Sequence, residues 1–196
     1  MNIDKIKKIP SNNIFIFENP ELINEDFCQE LINYINNSSH YGIEEWGHNS
    51  NVNSKFILIK TIKEFEVKEK FDNYIYKIIN YIVKNLYNEY GITCSGDSGY
   101  LLRKIHGPTR LHKDGIDPEL IDNTFIPIKK IRNMSIIIAL NDDYDEGEFY
   151  FPIQDFRIKL KKGQIIAFPP YWTHPHMVSA PTNGTHRYTI NTWLYE

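Results

Sequence analysis

The spacing of apolar residues changes character halfway along the chain, and that change limits the folds open to it. Over 64–90, Val67, Phe71, Tyr74, Ile75, Ile78, Ile79, Ile82, Val83 and Leu86 mark one stripe of a long helix, which Gly91 ends. An earlier helix is predicted over about 20–36. Pro20 suits its start, Glu21, Glu25 and Asp26 favour the positive end of its dipole, and Phe27, Leu31, Ile32 and Ile35 share a face. From Gly99 onward the pattern breaks into short β-branched runs at 100–105, 134–140, 149–151, 157–160, 164–168 and 187–193, several of them bounded by glycines or turn clusters. Another short apolar run, 14–17, precedes the first helix. Two amphipathic helices followed by about six strands predict an α+β fold, with helices on one face of an antiparallel sandwich or barrel.

A length of 196 residues suits one core, read here as a single domain over 1–196. Hydrophobic residues at 41% and charged residues at 24% exclude disorder, collagen and coiled coil. The 22 basic and 25 acidic residues leave a net charge of −3, so no global field favours nucleic acid or an anionic membrane. No stretch is long and apolar enough to span a bilayer. The first ten residues carry Asp4, Lys5, Lys7 and Lys8 where a signal peptide has an apolar segment, and a soluble, cytoplasmic protein is expected. Cys28 and Cys94 lie far apart without CxxC spacing, which suggests neither a disulfide framework nor a cysteine zinc site.

The chemistry-bearing residues fall in three places. His112-Lys113-Asp114 comes first: on extended chain, residues two apart project from one face, so an imidazole nitrogen and a carboxylate oxygen can converge on one ion. Such a tripeptide alone is commonly a surface accident. His174-Pro175-His176, beyond the run at 164–168, can supply a third ligand. Two histidines and one carboxylate leave coordination positions open, as in non-haem Fe(II) oxygenases, although zinc accepts the same groups. In the third place, 186–193, alternation puts Arg187, Thr189, Asn191 and Trp193 on one strand face and Tyr188 and Ile190 on the other. An arginine inside a barrel is costly unless it meets a carboxylate, which a bidentate acid ligand would supply. Taken alone it reads as a surface arginine on an edge strand; with the HxD pair and the later histidine, the buried reading prevails.

The ordered set His112-x-Asp114, Gly147-Glu148-Phe149, Lys162-Gly163-Gln164-Ile165-Ile166-Ala167-Phe168-Pro169, His176-Met177-Val178, Gly184 and Arg187-Tyr188 resembles the 2-oxoglutarate and Fe(II)-dependent dioxygenases. Within them it is most similar to the prolyl 4-hydroxylase and hypoxia-inducible-factor prolyl hydroxylase group. The resemblance covers about 98 to the C-terminus and extends more loosely to 15–35. It implies a double-stranded β-helix, or jelly roll, of about eight strands over about 98–196, with supporting helices over about 1–97. It implies further that His112, Asp114 and His176 hold Fe(II), that Arg187 binds the distal carboxylate of 2-oxoglutarate, and that Asn191 hydrogen-bonds this cosubstrate. His176 is preferred to His174 because it lies 11 residues before Arg187 in an HxV context; His174 is then a neighbouring or substrate-side group. The same likeness adds ascorbate as a candidate cofactor, and the substrate implied is peptidyl proline in a peptide or protein. A free amino acid or other small metabolite is the rival substrate. A cupin-like metal-binding module without turnover and a zinc hydrolase are rivals of other classes; the arginine clamp argues against the first, and the lack of a glutamate beside either histidine against the second.

Two departures from the family pattern stand out. Many relatives place a tyrosine nine or ten residues before the first ligand, where this chain has Arg103 and Lys104, with Tyr100 too early. Ile138 stands where animal relatives have a tyrosine before Leu-Asn. Elsewhere, the 18 residues of 115–132 are long enough for a lid. Tyr171 and Trp172 are candidates for the substrate mouth or for ordinary packing. Lys129, Lys130, Arg132, Arg103, Lys104 and Arg110 read as a solvated basic face, and His40, His48 and His106 as surface or loop residues.

Overall fold

The computed structural model describes residues 5–9, 12–45, 52–115, 120–121, 124–125 and 131–196. His48, Lys129, Lys130 and most of the expected lid over 115–132 lie outside the described residues. In chain order, strands β1 (Lys5–Ile9) and β2 (Ile14–Glu18) precede helix α1 (Glu25–Asn37). A hairpin of β3 (Gly42–Glu45) and β4 (Val52–Leu58) leads to α2 (Phe65–Tyr90). There follow β5 (Gly96–Asp97), β6 (Leu101–Ile105), β7 (Thr109–His112), β8 (Leu120–Ile121), β9 (Thr124–Phe125) and β10 (Arg132–Ala139). The chain ends in β11 (Asp145–Glu146), β12 (Phe149–Phe151), β13 (Phe156–Ile158), β14 (Gln164–Phe168), β15 (His176–Val178), β16 (Pro181–Thr182) and β17 (Arg187–Tyr195).

Helix α2 runs as its stripe predicts. Gly91 closes it at φ +67°, its N–H reaching the Tyr87 carbonyl at 2.9 Å while the Ile92 N–H reaches Leu86 at 3.2 Å. Helix α1 begins later than expected because two asparagines divide the segment. Asn19 accepts the Glu21 and Leu22 N–H groups in a turn that absorbs Pro20, and Asn24 then caps the helix by accepting from Phe27 at 3.0 Å. The hairpin β3–β4 goes unpredicted: Gly42-Ile43-Glu44-Glu45 has neither a β-rich composition nor a clean alternation. The strands β7 and β15 are likewise too short to announce themselves.

Two antiparallel sheets carry the architecture. The larger runs β1-β2-β14-β10-β17-β6-β4-β3, with β5 on β17, and the smaller runs β13-β12-β15-β7. Alternation sorts the larger sheet into two faces. Phe15, Phe17, Leu102, Ile136, Ile138, Ile165, Tyr188 and Ile190 face outward into one core with Phe27 and Leu31 of α1 and Ile75, Ile78, Ile79 and Ile82 of α2. Ile14, Ile16, Ile137, Ala139, Ile166 and Phe168 face inward against Phe149, Phe151, Leu160 and Val178 of the smaller sheet side. Each fully buried isoleucine or phenylalanine contributes about 1.5–3 kcal/mol, so both layers are firmly joined. The inner face is apolar toward β2 and β14 but turns polar across β10, β17 and β6, where Ser135, Arg187, Thr189, Asn191 and Arg103 stand. That change of character opens a cavity between the sheets. No helix among the described residues is long and apolar enough to cross a membrane.

Candidate active site

Pairing of β7 with β15 sets His112 opposite His176, with ring centroids 4.4 Å apart. Asp114 follows two residues after His112. Its Oδ1 lies 3.0 Å from His112 Nε2 and its Oδ2 3.9 Å from His176 Nε2, and one ligand atom from each residue falls within 4.8 Å of the others. Each imidazole is turned by its second nitrogen. His112 Nδ1 donates to the Arg110 carbonyl at 2.9 Å and His176 Nδ1 to the His174 carbonyl at 3.2 Å, so both Nε2 atoms converge on Asp114.

His174 is oriented away from this cluster. Its Nε2 donates to the Asn12 carbonyl at 2.7 Å, and its Nδ1 accepts from the Thr173 hydroxyl at 2.9 Å. Both nitrogens are thereby occupied, and the Nε2 bond ties the loop after β14 to the chain before β2. The structure gathers His112, Asp114 and His176, and leaves His174 outside.

The electrostatics follow from burial and contact. Burial holds His176 down to about 4, keeping its Nε2 lone pair free at neutral pH. Burial also opposes charge on His112, but the hydrogen bond and charge of Asp114 outweigh it and raise that imidazole. Burial raises Asp114 in turn, yet the hydrogen bonds from His112 and Ser135 and the nearby His176 bring the carboxyl well below the usual carboxylate range.

Asp114 is held from behind. Ser135 donates to its Oδ2 at 2.6 Å, and Arg132 Nη1 donates to its backbone carbonyl, also at 2.6 Å. Arg132 stacks over Trp193, 4.2 Å from the ring centroid, and its own carbonyl accepts the Tyr171 hydroxyl. Arg132 thus leaves the expected basic face to brace the site, and Tyr171 braces Arg132; Trp172 stays 74% exposed. Removing the Ser135 hydroxyl in Ser135→Ala is expected to weaken metal binding about tenfold or more, with secondary structure unchanged, as isothermal titration with a divalent ion would read.

The far wall of the cavity comes from β17 and β6. Arg187, Thr189, Asn191 and Trp193 point inward as alternation predicts, beside Arg103, with the His–Asp–His cluster opposite. Arg187 is 4% exposed, and its Nε and Nη1 are buried without a hydrogen-bond partner. Burial lowers it to about 10, which leaves it charged at neutral pH. Its guanidinium lies 5.0 Å over the Phe149 ring. Asn191 Oδ1 accepts from the Thr189 hydroxyl at 2.7 Å, so its amide N–H groups remain for a ligand, and the Trp193 indole N–H is buried without a partner. The wall therefore offers hydrogen-bond donors almost throughout, the complement of an anion.

Other side chains depart from the sequence expectation. Arg103, expected on a solvated face, is inward: its Nη2 donates to Glu44 and to Ser54 Oγ. Lys104, its neighbour, faces the helices and donates to Asn36 at 2.8 Å. Tyr144 is buried near Arg187, seated where a Cβ on Gly147 would come within 2.6 Å of its ring. Ile138 faces the helical core and Tyr100 bonds Asp97, so neither reaches the cavity. His40 is an exposed loop residue as expected, whereas His106 packs edge-on against His186, with centroids 4.4 Å apart.

The profile of the family described as the 2OG-Fe(II) oxygenase superfamily matches residues 104–195. The chain is 23% identical over 208 residues to an Acanthamoeba polyphaga mimivirus protein assigned as a prolyl 4-hydroxylase, covering 95% of this chain and 76% of that protein. A stretch of 73 residues is 36% identical to Mus musculus prolyl 3-hydroxylase 2, covering 35% of this chain but only 10% of that protein. Among solved structures, the viral collagen prolyl hydroxylase of Paramecium Bursaria Chlorella virus-1 with 2OG superposes with a TM-score of 0.66 at 18% identity, over 94% of this chain and 96% of that one. A Trichoplax adhaerens prolyl hydroxylase in complex with a hypoxia inducible factor peptide fragment gives 0.66 at 17% identity, over 94% and 84%.

Proposed function

We propose that this chain, which belongs to the 2OG-Fe(II) oxygenase superfamily, is a peptidyl prolyl hydroxylase working as one domain over 1–196. Its sheets are the two halves of a double-stranded β-helix: from β6 to β17 the chain passes repeatedly between the larger and the smaller sheet. The prolyl hydroxylase names of its relatives, and the peptide complex of one structural neighbour, support peptidyl proline as the substrate. Cys28 and Cys94 are free thiols, in keeping with a reducing, cytoplasmic setting.

One observation carries the oxygenase chemistry: a two-histidine, one-carboxylate cluster shares a cavity with a buried guanidinium whose Nε and Nη1 have no hydrogen-bond partner. The donor set fits Fe(II), and the donor-lined wall fits a dicarboxylate. His112, Asp114 and His176 would hold the metal, Arg187 the distal carboxylate of 2-oxoglutarate, and Asn191 a further cosubstrate oxygen. When bound, Fe(II) and 2-oxoglutarate together activate O₂, yielding succinate, CO₂ and a hydroxyl group in place of a substrate hydrogen. The chain's part is to position and shield. Ser135 and Arg132 fix the carboxylate, the Arg110 and His174 carbonyls fix the imidazoles, and Phe151, Phe168 and Phe149 exclude water from His176 and Arg187.

The test is incubation with Fe(II), 2-oxoglutarate and proline-containing peptides, followed by mass spectrometry and succinate assay. A proline residue gaining one oxygen, with stoichiometric succinate, is the expected result. Succinate formation stimulated by free amino acids but by no peptide overturns the peptidyl assignment. Metal binding without any 2-oxoglutarate turnover overturns the oxygenase reading.

A further inference from the structure

Beside Arg187 the cavity holds a second guanidinium. Arg103 pairs with Thr189 in the β6–β17 register, one strand over from Arg187, and lines the same space as His112, Asp114 and His176. Its Nη2 is engaged by Glu44 and Ser54, which the β4–β6 and β3–β4 registers bring onto the same inward face. Its Nε–H is buried without a hydrogen-bond partner. A guanidinium anchored to a protein carboxylate through Nη2, with its Nε–H unused, keeps a donor in hand for a further acceptor.

We propose that Arg103 is a second contact for the carboxylate cosubstrate, and that Glu44 is its counter-charge, setting how strongly it binds. This rests on the oxygenase reading given above. Two guanidinium groups, Arg103 and Arg187, line the cavity with one carboxylate, Asp114, and Glu44, paired with Arg103 from outside that lining, brings these four groups into balance. Adding a divalent ion and a doubly charged keto acid preserves that balance. Removing Glu44 would leave Arg103 in excess, and removing Arg103 would leave Glu44 against the incoming anion.

The two partners of this ion pair should therefore act in opposite senses on the ligand, although breaking the pair from either side costs the fold alike. Anaerobic calorimetric titration of the Fe(II)-loaded protein with 2-oxoglutarate reads the affinity, and thermal unfolding of the ligand-free protein reads the fold. Arg103→Met is expected to raise Kd about tenfold or more. Glu44→Gln is expected to lower Kd about two- to fivefold. Arg103→Lys keeps the charge but loses the fork, and should recover only part of the loss.

An unchanged Kd in Arg103→Met overturns the proposal, as does weaker binding in both variants, which marks the pair as a structural strut. With Arg103→Met weakened, an unchanged Kd in Glu44→Gln overturns the counter-charge role. Full recovery in Arg103→Lys overturns the direct contact. Arg187→Ala separates these outcomes from failure of the underlying reading: if it also binds 2-oxoglutarate normally, the cavity is not the cosubstrate site at all.

Discussion

Arg187→Leu is expected to make the ligand-free protein more stable while weakening 2-oxoglutarate binding by roughly two orders of magnitude or more. Both effects have one cause. The guanidinium is 4% exposed, and no carboxylate among the described residues is in hydrogen-bond contact with it. The Phe149 ring lies 5.0 Å from it, and Arg103 adds like charge. A buried charge held this way is a standing cost, and an apolar side chain of similar volume relieves it by about 1–4 kcal/mol. A bound dicarboxylate relieves the same cost by forming a charge-assisted, bidentate pair, and truncating one side of such a pair costs about 2–5 kcal/mol in binding. Denaturant unfolding with and without 2-oxoglutarate checks both halves. The parent protein gains stability with ligand, and the variant starts higher and gains little. A variant less stable than the parent without ligand would mean that the protein itself satisfies the guanidinium.

The same physics explains what was legible in the sequence. Alternation over 187–193 is a local property, so Arg187, Thr189 and Asn191 could be assigned to one face before any contact was known, and the structure puts them there. The stripe of α2 was legible for the same reason, since it spans many turns of one helix. Arg103 illustrates the limit. It too alternates inward, but its partners Glu44 and Ser54 lie on a hairpin that has no strong strand signal and lies about half a hundred residues earlier. Whether a charged residue faces water or a cavity depends on which strand becomes its neighbour, and that is a long-range property. Arg132 meets the same limit: its basic neighbours in sequence suggest a solvated face, while its position in β10 places it behind Asp114. The starting point of α1 turns on the side-chain hydrogen bonds of Asn19 and Asn24, which Pro20 and the acidic residues around it do not reveal.

The choice between His174 and His176 sharpens into an expectation with a large effect. His176→Ala should reduce Fe(II) affinity by about a hundredfold or more, whereas His174→Ala should retain the metal and lose stability instead. Both nitrogens of His174 are committed, to Asn12 and Thr173, so its removal unpins the loop after β14 without emptying a ligand position. His176 keeps only its Nδ1 committed, and its Nε2 faces Asp114 from 3.9 Å. Its loss need not unfold the protein. The imidazole is held neutral by burial, so no charge is orphaned, and Asp114 keeps its bonds to His112 and Ser135. What the fold loses is packing against Phe151 and Phe168, about 1–3 kcal/mol for a side chain of this size. Metal content after anaerobic loading, read beside the unfolding midpoint of each metal-free variant, separates a missing ligand from a damaged fold. Iron retained in His176→Ala but lost from a folded His174→Ala would reverse the assignment, and would require the 174–176 segment to turn over when metal binds.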